Sequence, residues 1–301
     1  MRKFIIRTSI FLLLATALMA VLDVCLTHKL RHYDRGRFLV WNEIFDNHID
    51  ADLLIMGSSR AWVHYSPEIL DSVLHTHSYN LGVDGSCFNR QYTRYRIYRK
   101  HQPKPRIIIQ NFECTTLDYT TGYEQYQYFP YFSDPDIQRW VIPYEEFTIA
   151  DRIFPFYRYS NFGVEKLFAN KLKVERGYLG HEKVWKVEPI DKDNLIHFTV
   201  DPRSLSLLKQ FLSKSAEEGV QVIFVHSPIH ISLTECQDDV DSMWHTWRQI
   251  ADQYNIPILD YQYDSLSYDT TYFYNRMHLN KLGAEIFSRH LAEDLKKLLE
   301  E

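Results

Sequence analysis

The pattern of apolar and polar positions predicts an alternation of buried strands and amphipathic helices. Short apolar runs that end at glycine or at a polar residue are typical of strands buried in a parallel sheet. Five such runs lie at 53–56, 78–81, 106–110, 220–225 and 256–259. Helical spacing of apolar residues separates or follows them, at 89–99, 202–218, 242–254 and 282–299. Strands that alternate with helices predict βαβ units with right-handed crossovers, and five strands fit one doubly wound parallel sheet.

The N-terminal segment is apolar enough to interact with a membrane. Residues 4–22 form an apolar run interrupted only by Arg7, and 24–26 extend it. That length is close to the minimum for crossing a bilayer. A cleaved signal peptide is the alternative, because small residues at 15–20 offer a peptidase site, but the run is long for a signal core. We therefore predict an uncleaved single-pass anchor over residues 1–26.

Basic residues lie on both sides of this run, so the positive-charge bias alone does not fix its orientation. A short basic tail before a first apolar segment usually stays inside the cell. This orientation places the rest of the chain outside the cytoplasmic (inner) membrane, facing the periplasm or the cell exterior. A connector over 27–49 then leads into one predicted domain over 50–301.

Composition narrows the choice of partners. The chain has 301 residues, 45% of them hydrophobic and 24% charged, which is ordinary for a globular protein. The net charge is -5, and there is no basic block or zinc-finger spacing, so we do not expect nucleic acid as a partner. The four cysteines show no C-x-x-C spacing, so neither a zinc site nor a disulfide scaffold is indicated. An exported domain would allow one disulfide among Cys87, Cys114 and Cys236.

The segment 114–200 interrupts the alternation of strands and helices. It is too long for an ordinary loop, and its many Tyr and Phe residues between 123 and 162 argue against disorder. We interpret it as an inserted cap that packs over the carboxyl edge of the sheet. Most of its rings are expected to form the core of the cap, while a few line a groove for a sugar or an acyl chain.

Polar residues at the predicted strand ends suggest acyl chemistry. Ser59 follows the first strand, Gly82 the second and Asn111 the third, and open α/β sheets bind ligands at that edge. Acyl transfer requires a nucleophilic hydroxyl, a base and donors for the oxyanion. We predict Ser59 as the nucleophile and His278, before the last helix, as the base. The Ser59 N–H, the Gly82 N–H and the Asn111 amide are predicted to form the oxyanion hole, since glycine lets a backbone N–H approach closely.

This set of residues resembles the motifs of the SGNH hydrolases, the GDSL-like esterases and O-acyl transferases, and especially their membrane-anchored members in the bacterial cell envelope. The first motif is Gly57-Ser58-Ser59, where the family usually has Gly-Asp-Ser, and the last contains His278. The resemblance covers roughly 50–113 and 200–299 and leaves the aromatic insertion unmatched. It implies a flavodoxin-like, doubly wound five-stranded parallel sheet and a serine mechanism that needs neither cofactor nor metal.

One position departs from the family pattern. SGNH hydrolases carry Asp three residues before the histidine, and this chain has Asn275 there. The aspartate orients the histidine, and its replacement by Asn in a serine protease lowers turnover about 10⁴-fold. Two substitutes are available. Asn275 can accept a hydrogen bond from the imidazole, as the asparagine of papain-like triads does, or Asp264 or Asp269 can supply a carboxylate.

Three further residues are candidates for substrate contact or support. Arg60 either binds an anionic group of the substrate or braces the loop that carries Ser59. His226 and His230 follow the fourth strand and border the predicted pocket. Their i, i+4 spacing would make a metal pair only on a helix, and Pro228 between them argues against one. We predict no metal site.

The sequence therefore predicts a serine esterase or O-acyl transferase that acts on acylated glycans, or on small esters, of the cell envelope outside the cytoplasm. The alternative is a catalytically impaired relative that binds an envelope glycan or a partner protein. A purely structural envelope protein on the same scaffold is a third interpretation, which would leave Ser59, Gly82, Asn111 and His278 without a role.

Overall fold

The computed structural model describes residues 1–46, 49–122, 124–168, 173–186 and 196–300, with the backbone alone at 235 and 236. Its α-helices are α1 (Arg2–Arg31), α2 (Gly36–Phe45), α3 (Ser59–His64), α4 (Pro67–Leu74), α5 (Phe88–His101), α6 (Pro135–Trp140), α7 (Ile149–Ile153), α8 (Tyr157–Phe162), α9 (Val164–Leu167), α10 (Pro202–Glu217), α11 (Val240–Tyr254) and α12 (Lys281–Glu300). Its strands are β1 (Leu53–Met56), β2 (Ser78–Asn80), β3 (Ile107–Asn111), β4 (Ile196–His197), β5 (Gln221–His226), β6 (Gln237–Asp238), β7 (Ile258–Asp260), β8 (Phe273–Asn275) and β9 (His278–Leu279). Short 3₁₀ helices lie at Gln125–Tyr131, Ile231–Cys236, Ser265–Tyr268 and Thr270–Tyr272.

The central element is a five-stranded sheet with the order β2-β1-β3-β5-β7. Each neighbouring pair is parallel. The predicted doubly wound five-stranded sheet is thus confirmed, with the flavodoxin-like order. The chain moves outward from β1 in one direction to β2 and in the other to β3, so a crevice opens between β1 and β3 at the carboxyl edge. Ligands of open α/β sheets bind at such a switch point.

Apolar strands explain why helices cover both faces of this sheet. All four residues of β1 and all five of β3 are buried. On one face, α12 packs on α4 and contributes Phe287, Leu291 and Leu295 to the core cluster of the sheet. On the other face, α10 packs on α5. Strands buried on both faces are near-continuous apolar runs, which is the sequence pattern that predicted them.

The chain divides into two compact units: residues 1–43 with 121–173, and 44–120 with 174–301. The second is the α/β unit that contains the sheet. In the first, buried aromatic and aliphatic side chains from the end of α1, from α2 and from the insertion form one core: Leu26, Leu30, Phe38, Phe129, Tyr159 and Leu167. The division assigns 114–120 and 174–200 to the α/β unit. Packing of the insertion over the sheet edge remains a prediction.

Helix α1 is continuous through residue 31, and its apolar side chains are exposed as far as Val24. It is the helix that, among the described residues, is long and apolar enough to cross a membrane. A signal sequence near an N-terminus has the same properties.

Residues 174–186, here called the clasp segment, connect parts of the α/β unit that are far apart in sequence. The N–H of Leu179 donates to the Trp62 carbonyl of α3 at 3.1 Å, and the carbonyl of His181 accepts from the N–H of Lys281 at 2.6 Å. The N–H of Trp185 donates to the Phe273 carbonyl of β8 at 2.8 Å. The clasp segment is therefore bonded both to the helix that begins at Ser59 and to the elements around His278.

Gly177 allows the clasp segment to pass close to the backbone of β2. Its φ is +80°, and a Cβ at this position would lie 1.8 Å from the Asn80 carbonyl oxygen. Gly219 provides a matched control, because its φ is +67° and a Cβ there would meet no atom within 4 Å.

We expect Gly219→Ala to lower the free energy of unfolding by about 1–2 kcal/mol, the cost of a left-handed conformation for an L residue. Gly177→Ala should add about 1–3 kcal/mol to that cost, because the Cβ overpacks the site. Urea unfolding of the full chain followed by circular dichroism measures both values. Equal losses in the two variants would contradict the close approach at Gly177.

Candidate active site

Ser59, the predicted nucleophile, lies where β1 meets α3. Strand β1 ends at Met56, and Ser59 is the first residue of α3. A Cβ on Gly57 would lie 2.6 Å from Ala61 Cβ and 2.9 Å from Asn111 Cβ, so only glycine allows this turn to pack against β3. The N–H of Ser59 has no intrahelical acceptor, since it belongs to the first turn of a helix. The predicted nucleophile is thus a partly exposed serine at the carboxyl edge of the sheet.

The structure brings His278 to this serine. Its Nε2 lies 2.7 Å from Ser59 Oγ, although the two residues are 219 positions apart. On the far side of the ring, Nδ1 lies 3.0 Å from Asn275 Oδ1. Ser59, His278 and Asn275 therefore form a chain of hydrogen bonds with the connectivity of a catalytic triad.

The side chain of Asn275 is oriented by the backbone. Its Oδ1 also accepts the N–H groups of Met277 and His278, both at 2.9 Å. Two backbone donors require the oxygen, and not the amide nitrogen, to face the ring. Consequently His278 Nδ1 is the donor to Asn275, and Nε2 is left to accept the hydroxyl proton of Ser59. Asn275 thereby imposes the tautomer that a general base requires.

The two aspartates proposed as substitutes do not take this place. Asp264 Oδ2 lies 3.1 Å from His290 Nδ1, and Asp264 Oδ1 accepts the N–H of Leu266. Asp269 accepts the N–H of Thr271 at 2.8 Å, at the start of a 3₁₀ helix. Since both carboxylates cap local turns and neither contacts His278, the carboxylate alternative is wrong for this structure.

The surroundings of His278 keep it neutral. Burial is the main cause that lowers its pKa to about 3, with the positive charge of Arg60 and the presence of His181 as further causes. The ring of Tyr274 stacks on the imidazole with 5.3 Å between centroids, and His181 packs on Tyr274 at 4.4 Å. His181 belongs to the clasp segment, so this segment supplies part of the environment of the base. Neither ring was identified from the sequence, where no motif marks them.

The predicted oxyanion donors differ in what they already bind. Asn111 Oδ1 accepts the hydroxyl of Tyr65 at 2.7 Å and the N–H of Ser227 at 3.4 Å. Its Nδ2 is buried and has no hydrogen-bond partner among the described residues. An unpaired buried donor costs about 1–3 kcal/mol, which suggests a group reserved for a ligand. The Ser59 N–H and Asn111 Nδ2 are thus open donors.

Gly82 is different, because its N–H donates to Asn80 Oδ1 at 2.9 Å. A role as an oxyanion donor would require that this bond be broken. The absence of a side chain at Gly82 serves another purpose, since a Cβ there would lie 2.5 Å from the backbone nitrogen of Trp62. Gly82 therefore allows the loop after β2 to pack directly against α3.

Arg60 is a brace and not a surface site for an anion. It is 1% exposed, its Nε lies 3.2 Å from Ser227 Oγ, and it also donates to the Ser227 carbonyl. Its Nη1 lies 3.7 Å from Glu113 Oε2, and the hydroxyl of Ser58 donates to the other carboxylate oxygen. Glu113 was missed by sequence reasoning. The available signal was an acidic residue two positions after the buried strand that ends at Asn111.

His226 and His230 are the two other histidines that were predicted to border the pocket. His226 is buried, its Nε2 lies 3.5 Å from Arg60 Nη1, and burial followed by Arg60 lowers its pKa to about 4. His230 caps a 3₁₀ helix by accepting the N–H of Ser232 at 3.2 Å. The two rings therefore have separate partners. No group of three metal-ligating side chains occurs at this site among the described residues.

His64 is hydrogen-bonded to two residues that are far from it in the sequence. Its Nε2 accepts the N–H of Leu279 at 3.0 Å, and its Nδ1 lies 3.0 Å from Ser227 Oγ. Burial lowers its pKa well below 6.5, which keeps Nε2 available as an acceptor. His64 is the last residue of α3, and its side chain therefore connects this helix to Leu279, the residue that follows His278.

A small pocket of about 240 Å³ lies beside Arg60, the residue that follows Ser59, although neither Ser59 nor His278 lines it. Arg60, Glu113 and Met277 line it, and each is within two positions of Ser59, Asn111 or His278. The rest of its lining is Cys114, Thr115, Ile196, Leu233 and Gln237. Its mainly apolar wall suits a short acyl group better than a long chain, because pockets for drug-sized ligands usually hold about 300–1,000 Å³.

No family model matches the chain, and no curated protein matches it. Among solved structures, the chain is similar to proteins described as lipolytic proteins, acylhydrolases and esterases. A candidate lipolytic protein of the G-D-S-L family from Desulfitobacterium hafniense has a TM-score of 0.42 and 10% identity over 80% of this chain and 97% of its own.

Two further structures have the same degree of likeness. A candidate acylhydrolase from Bacteroides fragilis has a TM-score of 0.44 and 12% identity, over 86% of this chain and 97% of its own. An acetyl xylan esterase has a TM-score of 0.42 and 11% identity, over 82% of this chain and 98% of its own. At these identities and TM-scores, none of the three assigns an activity to this chain.

The lowered pKa of His278 predicts an unusual pH profile. Because the base is already neutral, kcat/KM for a short-chain ester should not decline through the ordinary histidine range near 6.5 and should fall only as the pH approaches about 3. Asn275→Asp places a carboxylate beside Nδ1, which should raise the pKa of His278 and move the acid limb upward. Circular dichroism at each pH controls for unfolding. A wild-type acid limb centred near 6.5 would contradict the assigned environment.

Asn111→Asp tests the open donor, because it keeps the Oδ1 acceptor and removes Nδ2. We expect kcat to fall about 10²–10³-fold, as when one oxyanion donor is removed from a serine enzyme. Tyr65→Phe is the matched control, since it removes the other partner of Asn111 but leaves Nδ2 in place, and it should cost less. Steady-state kinetics measures both variants, and full kcat in Asn111→Asp would exclude the amide from the reaction.

Proposed function

We propose that this protein is a membrane-anchored serine esterase or O-acyl transferase that acts on ester-linked acyl groups. The observation that carries the proposal is the hydrogen-bond chain from Ser59 Oγ to His278 and Asn275, with contacts of 2.7 and 3.0 Å. It combines a nucleophile, a base in the required tautomer and a group that orients the base. Structural serine–histidine contacts occur in proteins, but this one is partly exposed, and its serine follows the strand next to the one that ends at Asn111, whose Nδ2 has no hydrogen-bond partner among the described residues.

The reaction follows from these positions. Ser59 Oγ attacks the ester carbonyl while His278 Nε2 takes the hydroxyl proton. The oxyanion accepts hydrogen bonds from the Ser59 N–H and Asn111 Nδ2. Collapse of this intermediate breaks the ester bond, and the leaving alcohol takes the proton from His278. Water or a sugar hydroxyl then attacks the acyl-serine, again with His278 as base, and the acyl group leaves as an acid or as a new ester.

Asn275 lowers the efficiency of this base without removing it. The large loss that follows the Asp-to-Asn change in serine proteases is attributed to the wrong tautomer of the histidine. Here the backbone fixes the Asn275 oxygen toward Nδ1, so that part of the loss does not apply. What is lost is the negative charge that would stabilise the imidazolium. We therefore infer an enzyme that is slower than one with aspartate, but active.

The proposal also includes the kind of substrate and the location of the protein. The size of the pocket supports a short acyl group, and the motif resemblance supports acylated glycans of the cell envelope as its carriers. Helix α1 would remain as a single-pass anchor, with the α/β unit on the outer side of the cytoplasmic membrane. Its exposed apolar surface and its unbroken path into a folded unit support this interpretation.

A binding protein without catalysis is the second candidate. The neutral Asn275 and the low pKa of His278 favour it, because both make proton transfer from Ser59 less favourable. In that case the pocket and the open donors would hold an acylated glycan without cleaving it.

Labelling with a fluorophosphonate distinguishes the two candidates. The full chain in detergent should be labelled and should hydrolyse a short-chain p-nitrophenyl ester, while Ser59→Ala should lose both activities. Ser58→Ala is the matched control, because this neighbouring hydroxyl binds Glu113 and not His278, and the variant should keep the label. An inert wild type that Asn275→Asp activates would support the binding protein. Full activity in Ser59→Ala would remove the serine mechanism.

A further inference from the structure

The first compact unit exposes large apolar side chains close to the end of α1. Ile149 is 73% exposed, Ile153 64% and Phe154 61%, and all three lie on or next to the short helix α7. Soluble proteins rarely group large apolar residues in this way without a partner. We therefore expect a partner that covers these three side chains.

The position of the membrane relative to this unit can be estimated from α1. Exposed apolar residues extend from Phe4 to Val24, whereas Leu26 and Leu30 are buried in the core of the unit. At 1.5 Å per residue that exposed stretch is about 30 Å long, which matches the hydrocarbon core of a bilayer. The interface between hydrocarbon and headgroups would therefore lie near Asp23.

Asp23 is bonded to the segment that carries the exposed residues. Its carboxylate accepts the N–H of Phe156 at 2.8 Å and a guanidinium N–H of Arg158 at 2.7 Å. One turn later, the hydroxyls of Thr27 and Tyr159 lie 2.7 Å apart. These contacts hold residues 149–157 at the depth where α1 would leave the bilayer.

A cleft of about 590 Å³ opens at the same level. Three arginines line it, Arg31, Arg152 and Arg158, together with His28 and a single acid, Asp23. The Nε of Arg158 is buried and has no hydrogen-bond partner among the described residues. Cationic groups beside a bilayer attract anionic lipids.

We propose that this unit is a lipid-docking module, in which Ile149, Ile153 and Phe154 enter the interfacial layer of the bilayer and the arginine-lined cleft binds the headgroup of an anionic phospholipid. Apolar anchors beside basic residues are the features by which peripheral segments bind membranes. The inference rests on the proposed anchoring by α1 and adds a second point of attachment. Two attachments would restrict the tilt of the unit, which one helix alone leaves free.

Photo-crosslinking in nanodiscs tests the docking. The full chain would carry benzoylphenylalanine at Phe154, at Leu13 as a positive control in α1, or at Tyr263 as an equally exposed control in the α/β unit. Mass spectrometry of the irradiated protein counts lipid adducts. We expect adducts at positions 13 and 154 and none above background at 263. Adducts at 13 without adducts at 154 would overturn the docking and leave the anchor intact. A lack of adducts at both would overturn the anchor itself.

The headgroup is tested with the same label at position 154. Yields should be higher in phosphatidylglycerol than in phosphatidylcholine nanodiscs, and Arg152→Glu should abolish that difference. Lys166→Glu is the matched control, because this exposed residue of the same unit does not line the cleft, and the lipid preference should survive. Equal yields from the two lipids in the wild type would overturn the assignment of an anionic headgroup.

Discussion

The hydrogen bond between Ser59 and His278 is the contact on which the site depends, and α3 is the element that maintains it. This helix has only six residues, too few to be stable alone, so its position is set by tertiary contacts. Arg60 fixes its first turn to Ser227 after β5, and His64 fixes its last residue to the backbone of Leu279. One short helix therefore joins the strand that precedes the nucleophile to the hairpin that carries the base.

The contacts of Arg60 also affect the charges in the site. Arg60 and Glu113 form a buried pair, and burial of a charge is tolerated only when partners compensate it. After burial, the positive end of that pair is the next cause that lowers the pKa of His278 and of His226. The arginine that holds α3 in place thus disfavours the protonated form of His278. If Ser59 and His278 are the nucleophile and the base, as proposed, this arginine makes the imidazolium harder to form.

Local patterns were sufficient to predict the sheet and to single out Ser59 and His278, but not the residues that surround this pair. The strands could be recognised because burial on both faces requires apolar runs, and Ser59 and His278 could be singled out because each lies at the end of such a run or beside the last helix. His64 could not be placed, because its partner Leu279 is 215 positions away. For Glu113 the position after β3 was visible, but its partners Ser58 and Arg60 were not. The packing of the end of α1 against the aromatic insertion was not predicted for the same reason. Clustered aromatic rings do not specify which distant segment they will pack against.

The role of Asn275 shows why residue identity alone was insufficient at the decisive position. An asparagine can present either its oxygen or its nitrogen to a histidine, and the two choices impose opposite tautomers. The backbone N–H groups of Met277 and His278 both donate to the Asn275 oxygen, so the hairpin and not the side chain decides which atom faces the ring. The hairpin thus supplies the orientation that aspartate would otherwise supply by charge. In the proposed mechanism only the charge is missing, so the direction of proton transfer would be kept and part of its driving force lost.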